Sequence, residues 1–160
     1  MRPAPERSRI EPFAGDRAEL AELFALADDS PAAIAVYRDL GTLLVAREDK
    51  ATIGLALVIA DRTRGTAELK ALAIDPQRQR SGLGRRLVEA AATTARNEGV
   101  AILQVSTACA DIGNLRFYQR VGFRMARIVR DAFTPALGYP EDMMMDGISL
   151  RDQVVFDYLL

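Results

Sequence analysis

The chain has no histidine and no tryptophan, and Cys109 is its only cysteine. A Ser-His-Asp triad and a metal site built from histidine and cysteine therefore cannot form, so no metal is expected. An internal disulfide is also impossible, which is typical of a reducing compartment. With no histidine to activate it, Cys109 is expected to be an inert core residue rather than an acyl-carrying nucleophile.

Long apolar runs and a strong net charge are also missing. No stretch approaches the roughly 20 apolar residues that a membrane-spanning helix needs, and residues 1–9 contain proline and charge without the apolar core of a signal peptide. The formal net charge is −1, so a nucleic-acid-binding surface is not expected. A cytoplasmic protein that contacts neither membrane nor nucleic acid is predicted. Its 160 residues, 49% of them hydrophobic, suit a single domain over 1–160.

Hydrophobic periodicity predicts strands and helices in a mixed order. Strands are expected at 10–13, 42–47, 52–60, 66–74, 101–107, 123–130 and 152–160, and helices after Asp16, at 31–40, 83–98 and 111–120. The strand–helix–strand unit from 66 to 107 makes its two strands parallel neighbours, and the other strands should be antiparallel. The expected fold class is α/β (α+β), with a mostly antiparallel central sheet of about seven strands, a parallel central pair and flanking helices.

The residues Gln79-Arg80-Ser81-Gly82-Leu83-Gly84 connect the predicted strand 66–74 to the predicted helix 83–98. Such a loop presents unpaired backbone N–H groups at the positive end of the helix dipole, where phosphate binds. Glycine leaves the backbone open to close approach. Arginines surround the loop, and Arg78 and Arg80 are better candidates for phosphate contacts than Arg85 and Arg86. A cofactor that carries a pyrophosphate is therefore indicated.

The spacing of the glycines in the loop distinguishes between the candidate cofactors. A Gly-Lys-Ser/Thr sequence is missing, which excludes a nucleotide-triphosphatase P-loop, and a third glycine in dinucleotide-binding register is also missing. The remaining Gln-x-x-Gly-x-Gly pattern resembles the Arg/Gln-x-x-Gly-x-Gly/Ala signature of the GNAT superfamily of acyl-CoA N-acyltransferases. Downstream, Asn114 to Phe123 is similar to the family's Asn…Tyr-x-x-x-Gly-Phe segment. The resemblance covers residues 40 to 130 well.

This resemblance implies the GNAT fold and acetyl-CoA as cosubstrate. In that family the two parallel strands splay apart, and the pantetheine arm of the cofactor pairs with backbone groups in the gap. The implied cofactor-binding residues are Leu72, Ala73, Ile74, Gln79, Arg80, Ser81, Gly82, Leu83, Gly84 and Asn114. For Asn114 the alternative is an early helix residue that bonds locally.

The implied activity is transfer of an acetyl group to a primary amine. Deprotonating an alkyl amine of pKa ~10.4 at neutral pH costs about 4.6 kcal/mol, so a base is useful, and Glu68 is the candidate. Its alternative role is an ion pair with Lys70. The departing thiolate needs a proton, and transfer of this proton from a tyrosine hydroxyl costs roughly 2 kcal/mol. Tyr118 matches the family tyrosine near the sulfur, and its alternative role is core packing near Phe123.

The sequence gives little information about the identity of the acceptor. Residues 131–151 form a long predicted loop, and such loops are often functional. Its Phe133, Tyr139 and methionines could line an acceptor pocket or form a homodimer face, and its acidic residues (Asp131, Glu141, Asp142 and Asp146) could attract a cationic amine. A solvated surface loop is the alternative. The predicted function is direct transfer to a small-molecule or peptide amine in a ternary complex. The alternatives are a non-catalytic acyl-CoA-binding regulatory module and a protein N-terminal or lysine acetyltransferase.

Overall fold

The computed structural model describes residues 8–160. Most of segment 1–9, which is predicted to lack the apolar core of a signal peptide, therefore lies outside the described residues. The α-helices are α1 (Ala21–Ala27), α2 (Pro31–Tyr37), α3 (Leu83–Asn97) and α4 (Ile112–Arg120). The β-strands are β1 (Arg9–Pro12), β2 (Thr42–Glu48), β3 (Ala51–Asp61), β4 (Thr66–Ile74), β5 (Ile102–Ala108), β6 (Arg124–Val129), β7 (Met144–Met145), β8 (Ile148–Ser149) and β9 (Gln153–Leu159). No helix in this part of the chain is long and apolar enough to cross a membrane.

Seven strands form the main sheet, in the order β1-β2-β3-β4-β5-β9-β6. Only β4 and β5 are parallel within it, and all other neighbours are antiparallel. Helix α3 makes the crossover between the parallel pair, as the strand–helix–strand pattern requires. The predicted sheet is therefore confirmed. The segment predicted as one long loop, 131–151, also contains a small separate hairpin of β7 and β8.

Helix α2 begins where the sequence predicts but ends earlier. Ser30 caps it by accepting a hydrogen bond from the Ala33 N–H at 3.1 Å. The helix stops at Tyr37 instead of continuing to about Leu40. The Arg17 side chain explains the early end, because its guanidinium donates to the carbonyls of Arg38, Leu40 and Gly41 and so replaces further helical partners.

Two hydrophobic cores lie on opposite faces of the sheet. One core packs against α3 and α4, and the other packs against α1 and α2. Within β4, a β-bulge moves the odd-numbered side chains from one face of the sheet to the other. Leu69 pairs with Val58 and Ala71 pairs with Leu57, so Lys70 has no partner on β3. Leu69 therefore belongs to the α3 core and Ala71 to the α1–α2 core.

Candidate active site

The parallel strands β4 and β5 separate after a short stretch of pairing. Their register covers only 66–68 on β4 and 102–104 on β5, although β4 continues to Ile74 and β5 to Ala108. A wedge-shaped gap therefore opens in the middle of the sheet, at the carboxyl ends of both strands. Glu68 lies in the last pair before the gap, opposite Gln104.

The register of β3 and β4 shows which backbone groups face this gap. The Asp75 N–H donates to the Ile53 carbonyl at 2.8 Å. Antiparallel strands alternate between residues that bond across the ladder and residues that point away. Ala73, two residues before Asp75, consequently bonds toward β3. Leu72 and Ile74 direct their N–H and C=O groups into the gap.

The same alternation applies on the β5 side of the gap. The Cys109 N–H donates to the Asp152 carbonyl at 2.8 Å on the approach to β9. Odd-numbered residues of β5 therefore bond to β9, and Ser106 and Ala108 present their backbone groups to the gap. Buried backbone groups of this kind need a partner. The gap is thus bordered on both edges by donors and acceptors that an extended amide-containing chain could satisfy.

The predicted phosphate loop leads from the gap into α3. Two residues of the loop have left-handed backbone conformations, Arg80 with φ 62° and Gly82 with φ 83°. Alternation of this kind turns successive N–H groups toward one point and creates an anion-binding concavity. The Ser81 hydroxyl donates to the Arg78 carbonyl at 2.5 Å and tightens the turn. Gln79 lies beside it, and its amide donates to the Ile74 carbonyl at 3.5 Å.

The first turn of α3 completes this concavity. The first N–H to bond within the helix is that of Arg86, which reaches the Gly82 carbonyl at 3.2 Å. The N–H groups of Leu83 and Gly84 therefore remain free at the positive end of the helix dipole. Gly84 is required here for a second reason. A Cβ at this position would lie 3.0 Å from Ile74 Cδ1 and 3.1 Å from the Phe117 ring, so glycine lets the helix start pack close to its neighbours.

The four arginines near the loop have different roles. Arg78 makes a bidentate ion pair with Glu48, with both N–O distances 2.8 Å, and this contact holds the pKa of Glu48 below its usual value. Arg86 binds Ser8, and Arg85 donates to the Arg120 carbonyl at 3.1 Å. Arg80 alone among the four forms no hydrogen bond or ion pair within residues 8–160. Of the two arginines favoured by the sequence, Arg78 anchors the loop and Arg80 is available for a phosphate.

Tyr118 lies in the aromatic part of the core, only 5% exposed. Its ring contacts Phe117, Phe123 and Phe156 at centroid distances of 5.2, 5.5 and 5.8 Å. Core packing near Phe123, the alternative role predicted for Tyr118, is therefore present. The hydroxyl forms no hydrogen bond within the described part of the chain, and it does not belong to the fully enclosed polar atoms that lack a partner, so its oxygen keeps some accessible surface. Burial and, to a smaller extent, the charge of Asp111 raise the pKa of Tyr118, so the hydroxyl keeps its proton at neutral pH.

Asn114 stands one helical turn before Tyr118 on α4. Its backbone N–H is capped by Asp111 at 3.0 Å, and its side-chain amide donates to the Thr107 hydroxyl on β5 at 3.2 Å. The local hydrogen bonds that were the alternative prediction for Asn114 are therefore present. The amide oxygen of Asn114 receives no donor from residues 8–160, so it can also accept a hydrogen bond from a ligand beside β5.

Glu68 and Lys70 form the ion pair that was the alternative for Glu68. The Lys70 Nζ lies 3.5 Å from Glu68 Oε1 and 5.1 Å from the centroid of the Tyr37 ring. The carboxylate stays 42% exposed, so the pair leaves it accessible to substrate or water. Both side chains lie on the α1–α2 face of the sheet, at the point where the gap opens.

The sequence did not single out the turn between α1 and α2, which forms one wall of this region. Asp28 accepts hydrogen bonds from the hydroxyls of Tyr139 at 2.8 Å and Tyr37 at 3.2 Å. Burial and the Asp28 carboxylate raise the pKa of both phenols, which are therefore neutral donors. The Ser30 hydroxyl also donates to the Leu137 carbonyl at 2.8 Å. Hydrogen bonds thus hold the 131–151 segment against the α1–α2 turn.

Two of the four acidic residues of the 131–151 segment have local structural roles. Asp131 pairs with Arg151 at 3.6 Å, and Asp146 occupies the turn of the β7–β8 hairpin with φ 49°. Outside this segment, the charges of Asp28 and Asp111 act on Asp29 and raise its pKa. The adjacent acids before Ser30-Pro31, at a predicted helix boundary, were the signal that could have identified this turn.

Asp29 is the residue of this acidic group whose ionisation opposes folding. Desolvation first, then the charges of Asp28 and Asp111, raise its pKa above the ordinary 3.8. A raised carboxyl pKa means that the folded state holds the proton more tightly than the unfolded state. The ionised Asp29 carboxylate therefore destabilises the folded state, and this effect is fully present above the pKa of the folded state. Asp29→Asn should therefore unfold at a higher temperature than the parent protein at neutral pH. Calorimetry should show this difference disappearing as the pH falls below 3.8; a constant difference would contradict the electrostatic cause.

Comparisons with known proteins agree with this geometry. The model of the acetyltransferase (GNAT) family matches residues 14–123. The chain belongs to this family. The N-acetyltransferase YvbK of Bacillus subtilis is 30% identical over 149 residues, which cover 93% of this chain and 94% of that protein. The fold and the acetyltransferase class expected from the loop and the Asn114–Phe123 segment are therefore confirmed.

Solved structures of GNAT acetyltransferases superimpose closely on this one. A Bacillus subtilis acetyltransferase in complex with CoA has a TM-score of 0.86 and 30% identity, covering 96% of this chain and 99% of its own. An Elizabethkingia anophelis GNAT acetyltransferase with acetyl-CoA bound has a TM-score of 0.87 and 28% identity, with 97% and 99% coverage. This GNAT acetyltransferase thus shares its whole fold with proteins that hold the cofactor. Within residues 8–160, no group of three or more acidic, histidine or cysteine side chains is placed to hold a metal ion.

Proposed function

We propose that this acetyltransferase moves the acetyl group of acetyl-CoA directly to a primary amine within a ternary complex. The observation that carries the proposal is the gap between β4 and β5, which ends near the phosphate loop and lies beside α4, where Asn114 bonds to β5 and Tyr118 follows one turn later. The CoA and acetyl-CoA held by the two similar structures support the same ligand for this chain.

The cofactor is held along this path by three groups of residues. The diphosphate binds the free N–H groups and side chains of the phosphate loop, which comprises Gln79, Arg80, Ser81, Gly82, Leu83 and Gly84. The pantetheine amides pair with the backbone of Leu72 and Ile74 and with the Asn114 amide oxygen. Ala73 supports this edge from the β3 side without facing the ligand. This arrangement leaves the thioester near the point where the strands separate.

The reaction follows from these positions. The neutral amine attacks the thioester carbonyl, and the Leu72 N–H, which faces the gap, stabilises the oxyanion of the tetrahedral intermediate. The C–S bond then breaks, and Tyr118 gives its proton to the sulfur. Its raised pKa makes it a weaker acid, but the same burial raises the pKa of the departing thiol. Solvent returns the proton to Tyr118, and the amine proton leaves through Glu68.

The base role of Glu68 has a pH signature. Glu68→Gln should lower kcat/KM for a simple alkyl amine by about 100-fold at neutral pH, because a general base contributes on that scale. The loss should shrink as the pH approaches the amine pKa of ~10.4, where the substrate is already neutral. Lys70→Met is the matched variant, because it breaks the same ion pair but keeps the carboxylate. If both variants lose activity equally at every pH, Glu68 is only a partner for Lys70.

Free thiol release tests the proposed function itself. The protein is incubated with acetyl-CoA and, in separate reactions, an alkyl diamine, an aminoglycoside, and peptides with a free N-terminus or a lysine. We expect amine-dependent thiol release and an acetylated product, together with binding of CoA by calorimetry. Release confined to the peptides would identify a protein acetyltransferase. CoA binding with equal rates in the presence and absence of every acceptor would indicate a non-catalytic module.

A further inference from the structure

A row of polar side chains crosses the sheet at the point where β4 and β5 separate. Glu68 on β4 is paired with Gln104 on β5, and Gln104 is paired with Asp157 on β9. Residues paired across neighbouring strands point to the same face of a sheet. Leu103 and Val105, which flank Gln104 along β5, belong to the α3 core, so the row lies on the opposite, α1–α2 face. All three polar side chains are only partly buried.

The Asp157 carboxylate fixes the orientation of the Gln104 amide. Gln104 Nε2 donates a hydrogen bond to Asp157 Oδ1 at 2.8 Å. A carboxylate only accepts hydrogen bonds, so the NH₂ group of the amide, and not its C=O group, must face Asp157. The two groups of an amide diverge from the same carbon, and Gln104 Oε1 therefore points away from β9, on the side of β4 and Glu68. This oxygen receives no donor from residues 8–160.

Two hydrogen-bond acceptors, the Glu68 carboxylate and Gln104 Oε1, thus stand side by side in the last pair before the gap opens. Lys70 donates only to Glu68, at 3.5 Å, and no group in the described part of the chain bridges the two acceptors. Two hydrogen bonds of about 2.9 Å that diverge at the tetrahedral angle end about 4.7 Å apart. Neighbouring strands are about 4.8 Å apart. A ligand nitrogen with two N–H groups therefore matches this pair of acceptors.

A neutral primary amine bound in this way is oriented for the reaction. Its two N–H groups are held by Glu68 and Gln104, so its lone pair is directed away from both acceptors and is free to attack the thioester carbonyl. The nitrogen becomes positively charged when the N–C bond forms, and Glu68 then takes one of its protons. The other N–H stays on Gln104 Oε1 and becomes the N–H of the amide product.

We infer that Gln104 binds the acceptor amine through its Oε1, together with Glu68, and that Asp157 is a positioning residue that orients the Gln104 amide. This inference rests on the proposed function and adds a specificity to it. A secondary amine has a single N–H, which Glu68 must accept because it takes the proton. Gln104 Oε1 is then left without a donor, so the site selects primary amines.

Butylamine and N-methylbutylamine test this specificity. Gln104→Met keeps the length of the side chain and removes the amide. It should lower kcat/KM for butylamine by about tenfold, the effect of one lost hydrogen bond. It should change kcat/KM for N-methylbutylamine by less than about twofold, because this amine has no N–H to give to Gln104. Calorimetric titration of the CoA complex with butylamine gives a readout without turnover, and Gln104→Met should weaken this binding.

Gln119→Met is the matched control. The Gln119 amide is exposed on α4 and donates to the Leu115 carbonyl of its own helix at 2.9 Å. The same exchange at this position should change kcat/KM for neither amine. The ratio of the two kcat/KM values, measured on one preparation, does not depend on the fraction of folded protein. A loss of stability in Gln104→Met therefore cannot imitate the expected change in this ratio.

Asp157→Val tests the positioning role. Valine suits a strand, but it removes the acceptor that holds the Gln104 amide in one orientation. The amide can then rotate, while its oxygen remains in the site. The preference for butylamine over N-methylbutylamine should fall by about threefold, less than in Gln104→Met. A purely structural Asp157 would change stability and leave this preference unaltered.

The outcomes separate the inference from the proposed function. An unchanged preference in Gln104→Met, or an equal loss for both amines, would overturn the inference while acetyl transfer stands. The two acceptors recognise only the amino group, so failure to acetylate butylamine by protein that binds CoA would overturn it as well. Failure to bind CoA at all would remove the proposed function, and the inference with it.

Discussion

Replacing Tyr118 by phenylalanine should lower kcat by about 100-fold to 1000-fold, because the departing thiolate loses its proton donor. Affinity for CoA should stay within about twofold, since ordinary surface and packing changes without lost contacts have small effects. Stability should stay unchanged or increase slightly. The phenylalanine ring keeps the contacts with Phe117, Phe123 and Phe156, and the hydroxyl it removes has no partner within residues 8–160. Steady-state kinetics, calorimetry with CoA and thermal unfolding measure these three quantities.

Tyr158→Phe is the matched control for this variant. Tyr158 belongs to the same aromatic cluster, 5.2 Å from the Phe123 ring, but it lies on β9 near Gly122 rather than beside the gap. Loss of the Tyr158 hydroxyl should leave kcat within about twofold of the parent value. Parent-level turnover in Tyr118→Phe would show that Tyr118 serves only packing and that water protonates the thiolate. A large loss of stability in Tyr118→Phe would instead reveal an internal partner for the hydroxyl.

The features of the candidate site whose conformation follows from the sequence are local. The phosphate loop is continuous in sequence, and its conformation depends on Gly82 and on the helix that follows. Asn114 and Tyr118 stand one turn apart on α4, so their helical spacing alone places them on one face. The parallel pairing of β4 and β5 follows from a single crossover. Each of these features is determined within a few tens of residues, where periodicity and turn chemistry are informative.

Other parts of the site depend on contacts between distant residues. Asp28 and Tyr139 are 111 positions apart, and only the docking of the 131–151 segment brings them together. The sequence predicts Arg78 as a phosphate contact, but a bidentate contact with Glu48, 30 positions away, occupies its guanidinium. The bulge at Lys70 also follows from the β3 register rather than from the β4 sequence. Such pairings depend on loop closure and packing, which leave no periodic signal in the chain.

The second large effect is expected from Gly82→Val in the phosphate loop. Gly82 has φ 83°, a conformation that a β-branched residue adopts only with strain, and its side chain would stand at the opening of the N–H concavity. Hydrogen bonds to charged groups are worth about 1.5–3 kcal/mol each. Loss of two such bonds to the diphosphate should raise the Kd of CoA by at least about 100-fold. Calorimetric titration of folded protein with CoA measures this change.

Gly65→Val separates cofactor binding from backbone strain. Gly65, in the turn between β3 and β4, has a similar φ of 69°, and a Cβ at either glycine meets no atom within 4 Å. The two variants should therefore lose similar stability, about 1–3 kcal/mol, through the same left-handed strain. Only Gly82→Val should lose CoA affinity. If Gly65→Val weakens CoA binding equally, general destabilisation explains the effect, and if neither variant does, the diphosphate does not bind in this loop.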